Sequence, residues 1–283
     1  VVFVEDAYLM NNEAYIVRVF PRRTNATPRD DMAFVGEPPL PAFQPEADRV
    51  HVSVVFDWDK DEGERLGECW RSYYEDVKVG GPAYSASGPF VPGQYLREGY
   101  VITSRGCPND CWFCEVKHRS PQFEELPIVG GWNVQDDNLL ACSEEHIRAV
   151  FAMLKQQTHA IHFDGGLEAA HLKPWHIDLL LSLNLGQMFL AYDERADLPP
   201  LRLAAQLLAD AGLMRGHKAR CYVLIGYPGD LMSKAEERLQ IVMQLGFMPF
   251  AMLYRDRTGA YQKSWRRFQR EWANPVIVGA KMK

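Results

Sequence analysis

The chain has 283 residues, 47% apolar and 24% charged, which suits one large folded core or two modest ones rather than a disordered chain. A formal charge of -6 and a pI near 5.8 argue against wholesale binding to nucleic acid or an anionic membrane, while leaving room for a local basic face. No run reaches the ~18 apolar residues of a membrane span. The opening VVFVEDAYLMNNEAYIV lacks the basic flank and small-residue cleavage site of a secretory signal, so a cytoplasmic protein is expected.

Residues 1–97 are read as an N-terminal arm plus a small βαβ unit. The segment to Asp48 mixes proline with charge (RVFPRRTNATPRDD, GEPPLPAFQPEAD) and shows no sustained period, which predicts an extended arm. Arg18, Arg22, Arg23 and Arg29 within it read as solvated or interdomain charges rather than a phosphate site. Residues 50–56 form a β-rich run, followed by a Glu-rich helix with Leu66, Trp70 and Tyr73 on one side. A short strand at 77–79 then runs into Gly80-Gly81-Pro82, and a Pro/Gly-rich linker leads onward.

Residues 98–257 alternate between strand-like and helix-like stretches. Strands are expected at 100–104, 131–135, 160–164, 188–192, 220–225 and 249–254, most of them apolar enough to be buried on both faces. The intervening helices carry end signals: Ser143 ahead of Ile147, Val150, Phe151 and Leu154, Pro199-Pro200 closed by Gly212, and a Ser233/Glu236 capping-box pattern stopped by Gly246. Six such repeats predict an α/β fold, a partial parallel (β/α)6 TIM-like barrel with its chemistry at the C-terminal ends of the strands. Residues 258–283 are expected to be a helical cover. Tyr261, Trp265, Phe268 and Trp272 share a face that reads as core rather than as a base-stacking platform.

Three of the six cysteines fall within eight residues, in Ser104-Arg105-Gly106-Cys107-Pro108-Asn109-Asp110-Cys111-Trp112-Phe113-Cys114, directly after the first expected barrel strand. This spacing suits a metal site better than a disulfide framework, and a reducing compartment better than an oxidising one. Thiolates suit zinc or iron–sulfur. Structural zinc requires four closed ligands, for which His118 is the local fourth candidate, whereas three thiolates on a [4Fe–4S] cubane leave one iron open to a chelating ligand. Cys69, Cys142 and Cys221 are scattered and read as buried thiols.

The Cys-x3-Cys-x2-Cys triplet after the first strand of a βα barrel, with an aromatic before its last cysteine, resembles the radical S-adenosylmethionine (SAM) superfamily over about residues 100–256. The resemblance implies a [4Fe–4S] cluster on Cys107, Cys111 and Cys114 that cleaves SAM reductively. The resulting 5′-deoxyadenosyl radical would abstract hydrogen from an unidentified substrate, with electrons supplied by a small donor such as a flavodoxin or ferredoxin. The flanking SRGCPNDCWFC is similar to the branch often joined to a cobalamin-binding domain. The Asp-x-His-x-x-Gly signature of that domain is absent from this chain, so cobalamin is not expected. The other class to weigh is an iron–sulfur electron carrier or redox sensor without SAM turnover.

By the same resemblance, Phe113 would lie near the adenine, and Asp136, Asp137 and Asn138, after the second strand, would meet the SAM amino group. Gly165-Gly166-Leu167-Glu168 has the letters of the family's glycine turn but follows the third strand by count. Asp193 would face the SAM carboxylate or ribose, and Ile225 and Gly226 would contact adenine from the fifth strand. His162 reads as a structural histidine, and Tyr254-Arg255 as a rim of the pocket or a surface pair.

Overall fold

The computed structural model describes residues 15–85 and 89–282, which divide after Tyr100 into two compact units. The stretch read for a signal sequence falls mostly in residues 1–14, and part of the Pro/Gly linker in 86–88; both lie outside the described residues.

The first unit is a four-stranded parallel sheet. Strands β1 (Ile16–Phe20), β2 (Ala33–Val35), β3 (Arg49–Ser53) and β4 (Val77–Gly80) lie in the order β2-β1-β3-β4, with helix α1 (Lys60–Arg71) joining the last two. Val17, Val19, Val50, Val52, Leu66 and Trp70 form its core. The expected arm is therefore two further strands. Its misleading feature is Arg18, which is only 8% exposed inside β1: its guanidinium donates to the carbonyls of Gly93 and Gln94 and pairs with Asp30. A charge held this way inside a strand breaks the apolar alternation by which strands are read. Tyr73, expected on the helix face, follows the end of α1 and is exposed.

The second unit contains β5 (Tyr100–Val101), β6 (Ser104–Arg105), α2 (Val116–Arg119), β7 (Glu124–Glu125), β8 (Asn133–Val134), α3 (Glu144–Lys155), β9 (Ile161–Phe163), α4 (Pro174–Leu181), β10 (Leu185–Ala191), α5 (Leu198–Asp210), β11 (Ala219–Ile225), α6 (Met232–Gln244), β12 (Met248–Leu253), α7 (Trp265–Ala273) and α8 (Pro275–Lys281). Six strands form one sheet in the chain order β5-β8-β9-β10-β11-β12, and β8 through β12 pair in parallel. The architecture is thus mixed α/β with parallel sheets. β6 and β7 form a separate antiparallel pair that brackets the cysteine segment.

The sheet's residues alternate between two environments, as strand geometry requires. One set packs among apolar side chains, with Phe151 of α3 stacked on Phe163 at 5.5 Å. The other holds a polar band, in which Asn133 and Gln187 both donate to Asp164, beside the rings of Phe189, Tyr222 and Phe250; the first two stack at 4.0 Å.

Ser143 caps α3 by accepting the N–H of His146. The Ser233/Glu236 capping box does not form, because α6 begins at Met232 and Ser233 falls within its first turn. The preceding carboxylate, Asp230, accepts from Gly226 and Leu231 N–H and pairs with Arg238, and so organises that helix start. In α7, Trp265 and Trp272 are buried with Phe268 between them, so the aromatic face is packed inward. Among the described residues no helix is long and apolar enough to cross a membrane.

Candidate functional site

The cysteine segment leaves β6 through Gly106, whose φ of +80° lies in the left-handed region. A Cβ there would stand 2.4 Å from the carbonyl oxygen of Gln122, so glycine permits both the turn and the close return of the chain. Cys107, Cys111 and Cys114 follow as free, partly exposed thiols, with Cys114 N–H bonded to Cys111 O at 3.1 Å. They lie close enough to sense one another. Burial first, then the neighbouring Cys114 and Cys107, pushes the Cys111 thiol up to about 11, and burial raises Cys114 as well. Among the described residues no three His, Cys, Asp or Glu side chains are grouped closely enough to converge on a single metal ion.

Several contacts seat the segment. Lys117 pairs with Asp110 at 2.7 Å and Arg257 with Glu115 at 3.3 Å. Trp112 lays its ring against Phe113, Tyr227 and Tyr254 at 5.4, 5.5 and 5.8 Å, so it touches residues just past the ends of β11 and β12. Phe113 is thereby placed on the aromatic side of the segment.

The three residues expected to meet an amino group take different positions. Asp136 is 1% exposed and turned under the segment: Oδ1 accepts Thr103 N–H at 2.6 Å, and Oδ2 accepts the hydroxyls of Thr103 and Ser104. Burial raises its carboxyl against the pull of these donors. It fixes the strand entering the segment, and both its oxygens are occupied by these donors. Asp137 accepts Gly106 N–H, one residue before Cys107; burial raises its carboxyl too, opposed by that N–H and by Arg119 and Arg105. Asn138 is 4% exposed, and its Nδ2 donates both to Cys107 Sγ at 3.4 Å and to Glu168 Oε2 at 2.6 Å.

Glu168 belongs to the Gly165-Gly166-Leu167-Glu168 turn, which follows β9, the third strand of the sheet. The two turns that sequence reasoning sets against each other therefore meet at one point. Gly165 makes this possible, since a Cβ on it would stand 2.2 Å from Asp136 O and 2.7 Å from Gln135 C. His171 lies 3.4 Å from the same Glu168 oxygen.

Asp193 follows β10, and its Oδ1 accepts Leu224 N–H at 2.8 Å. Burial pushes its carboxyl up to about 7, with Asp197 and Glu194 adding to the rise against Leu224 N–H and Arg238. Cys111 also senses Asp197 and Glu194, which draws this turn into the neighbourhood of the thiols. Ile225 is fully enclosed and its backbone carbonyl is taken by Tyr254 N–H. Gly226 makes room for Leu253 and Trp265, whose atoms would stand 2.8 and 3.0 Å from a Cβ, which accounts for that glycine by packing. The Arg255 guanidinium lies over the ring of Tyr261 at 4.8 Å.

Glu168, Trp112, Thr103 and Ser104 are absent from the sequence-based contact set. Only Glu168 had a signal, the glycine turn that precedes it. No protein-family model matches the chain, and no curated protein matches it in sequence.

Proposed function

We propose that the chain is a radical SAM enzyme that holds a [4Fe–4S] cluster on Cys107, Cys111 and Cys114 and cleaves SAM reductively for hydrogen abstraction from a substrate still to be identified. The observation that carries this reading is the oxygen of Asn138. Its Nδ2 must face the Glu168 carboxylate and Cys107, because the flipped amide would set oxygen against oxygen. That leaves Oδ1 buried beside Cys107 with no donor among the described residues. A buried acceptor without a partner is costly. An ammonium such as the SAM amino group would satisfy it, with the Glu168 carboxylate adding charge complementarity.

When bound, the cluster supplies the electron that breaks a SAM carbon–sulfur bond. The protein's part is binding and exclusion of water. Asp137 and Asp136 hold the segment, Asn138 and Glu168 receive the amino group, Asp193 stands at the next turn for the carboxylate or ribose, and Trp112 and Phe113 offer an aromatic wall for adenine. Strands in chain order with intervening helices agree with a partial (β/α)6 barrel, the finer form of the fold that this reading adopts. A flavodoxin or ferredoxin is the proposed electron donor. The parallel sheet of the first unit lacks the Asp-x-His-x-x-Gly signature, and cobalamin is left outside the proposal.

The test is anaerobic reconstitution of the full chain, followed by dithionite and SAM. The proposal expects iron and sulfide bound to the parent, lost in Cys107→Ala, Cys111→Ala and Cys114→Ala, with 5′-deoxyadenosine formed by the parent. A fully loaded parent that yields none, and whose paramagnetic resonance spectrum SAM does not change, would be an electron carrier instead. Zinc without acid-labile sulfide would overturn both.

A further inference from the structure

Resting on the proposed function, we infer that Asn138 sets the reduction potential of the cluster held by Cys107, through an N–H···S hydrogen bond kept in aim by Glu168. The side-chain amide has two hydrogens and meets two acceptors, Cys107 Sγ at 3.4 Å and Glu168 Oε2 at 2.6 Å. The residue is held in place: it is buried, its backbone carbonyl accepts Ala141 N–H, and the preceding Asp137 is tied to Gly106.

A donor aimed at a ligating sulfur stabilises the more electron-rich state, and hydrogen bonds to sulfur are among the levers by which proteins set cluster potentials. Burial strengthens the effect, because water does not compete for the sulfur at that position. Glu168 acts through Asn138 and is a positioning residue, as outer-shell partners of metal ligands commonly are.

The experiment is a potentiometric titration of the reconstituted full chain, read by paramagnetic resonance. Asn138→Leu removes the donor at similar volume and should lower the midpoint potential with iron and sulfide content unchanged. Asn138→Asp, which sets a carboxylate there, should lower it at least as far. A loaded Asn138→Leu protein with an unmoved midpoint overturns the inference. Should the variants fail to load, the parent labelled with 15N-asparagine decides the matter: a hyperfine coupling from one side-chain nitrogen to the reduced cluster is expected, and its absence is equally fatal. A parent that binds no iron–sulfur cluster removes the proposed function as well, whereas an unmoved potential removes this inference alone.

Discussion

Asp137 Oδ2 accepts the backbone N–H of Gly106 at 3.0 Å, which ties the turn after β8 to the residue immediately before Cys107. A hydrogen bond to a charged acceptor contributes about 1.5–3 kcal/mol. On the proposed function, Asp137→Ala should therefore release iron to a chelator roughly ten- to a hundredfold faster than the parent, whereas Asp137→Asn, which keeps an acceptor oxygen, should stay near the parent rate. Equal rates for all three would dissociate this bond from cluster retention.

Asp136 supports the same segment from beneath. Asp136→Ala strands Thr103 N–H and the hydroxyls of Thr103 and Ser104 in a buried setting, and a cost of about 2–4 kcal/mol is expected. The check is the urea midpoint of the apo chain. A change below ~0.5 kcal/mol, the range of ordinary surface substitutions, would show that water or relaxation replaces the lost acceptor.

Gly165→Ala tests whether the ends of β8 and β9 must approach so closely. The new Cβ would face the backbone of Asp136 and Gln135, which cannot swing aside as a flexible side chain would. Overpacking of this kind costs about 1–3 kcal/mol. Because Asn138 and Glu168 follow on either side of the contact, the proposed function expects SAM affinity measured by calorimetry to fall together with stability. A variant that loses stability but retains full affinity would detach the glycine turn from the ligand site.

The pH dependence of stability should carry the mark of Asp193. Burial pushes its carboxyl up to about 7 from an ordinary value of 3.8, so between those values the folded state is expected to hold a proton that the unfolded state has lost. Stability from this group accordingly falls as pH rises from about 4 to 7 and is level above. Glu194, Asp197, Arg238 and the buried Cys221 all sense the same charge. Asp193→Asn keeps an acceptor for Leu224 N–H and removes the titration. At about 1.4 kcal/mol per pKa unit, partial relief of the burial cost should leave the variant on the order of 1–2 kcal/mol more stable than the parent at pH 8, with the two converging near pH 4. Parallel melting curves across that range would argue that Asp193 stays hydrated.

The strands of the large sheet are legible because most are short apolar runs between end signals, and all six expected positions carry strand. The first unit was harder to read. β1 is interrupted by Arg18 and β2 has only three residues, and the partners of Arg18 at positions 30, 93 and 94 are invisible to a local pattern. At the site, the cysteine spacing announced itself, but the division of labour among Asp136, Asp137 and Asn138 did not. Three adjacent polar residues look alike in sequence, and their roles diverge only once the backbone turns one side chain down, one toward Gly106 and one toward Cys107. The burial of Ile225 is hidden for a similar reason: the alternation along β11 sends its side chain into the core.

The contacts of Trp112 also order events in time. This side chain sits within the cysteine segment, yet the rings that receive it are Tyr227 and Tyr254, more than a hundred positions further along the chain. A nascent polypeptide thus exposes its thiols long before their aromatic seat has been translated. If the proposed cluster is held there, its insertion would belong to the end of biogenesis, and a chain halted before Tyr254 would display Cys107, Cys111 and Cys114 without the clasp that secures them.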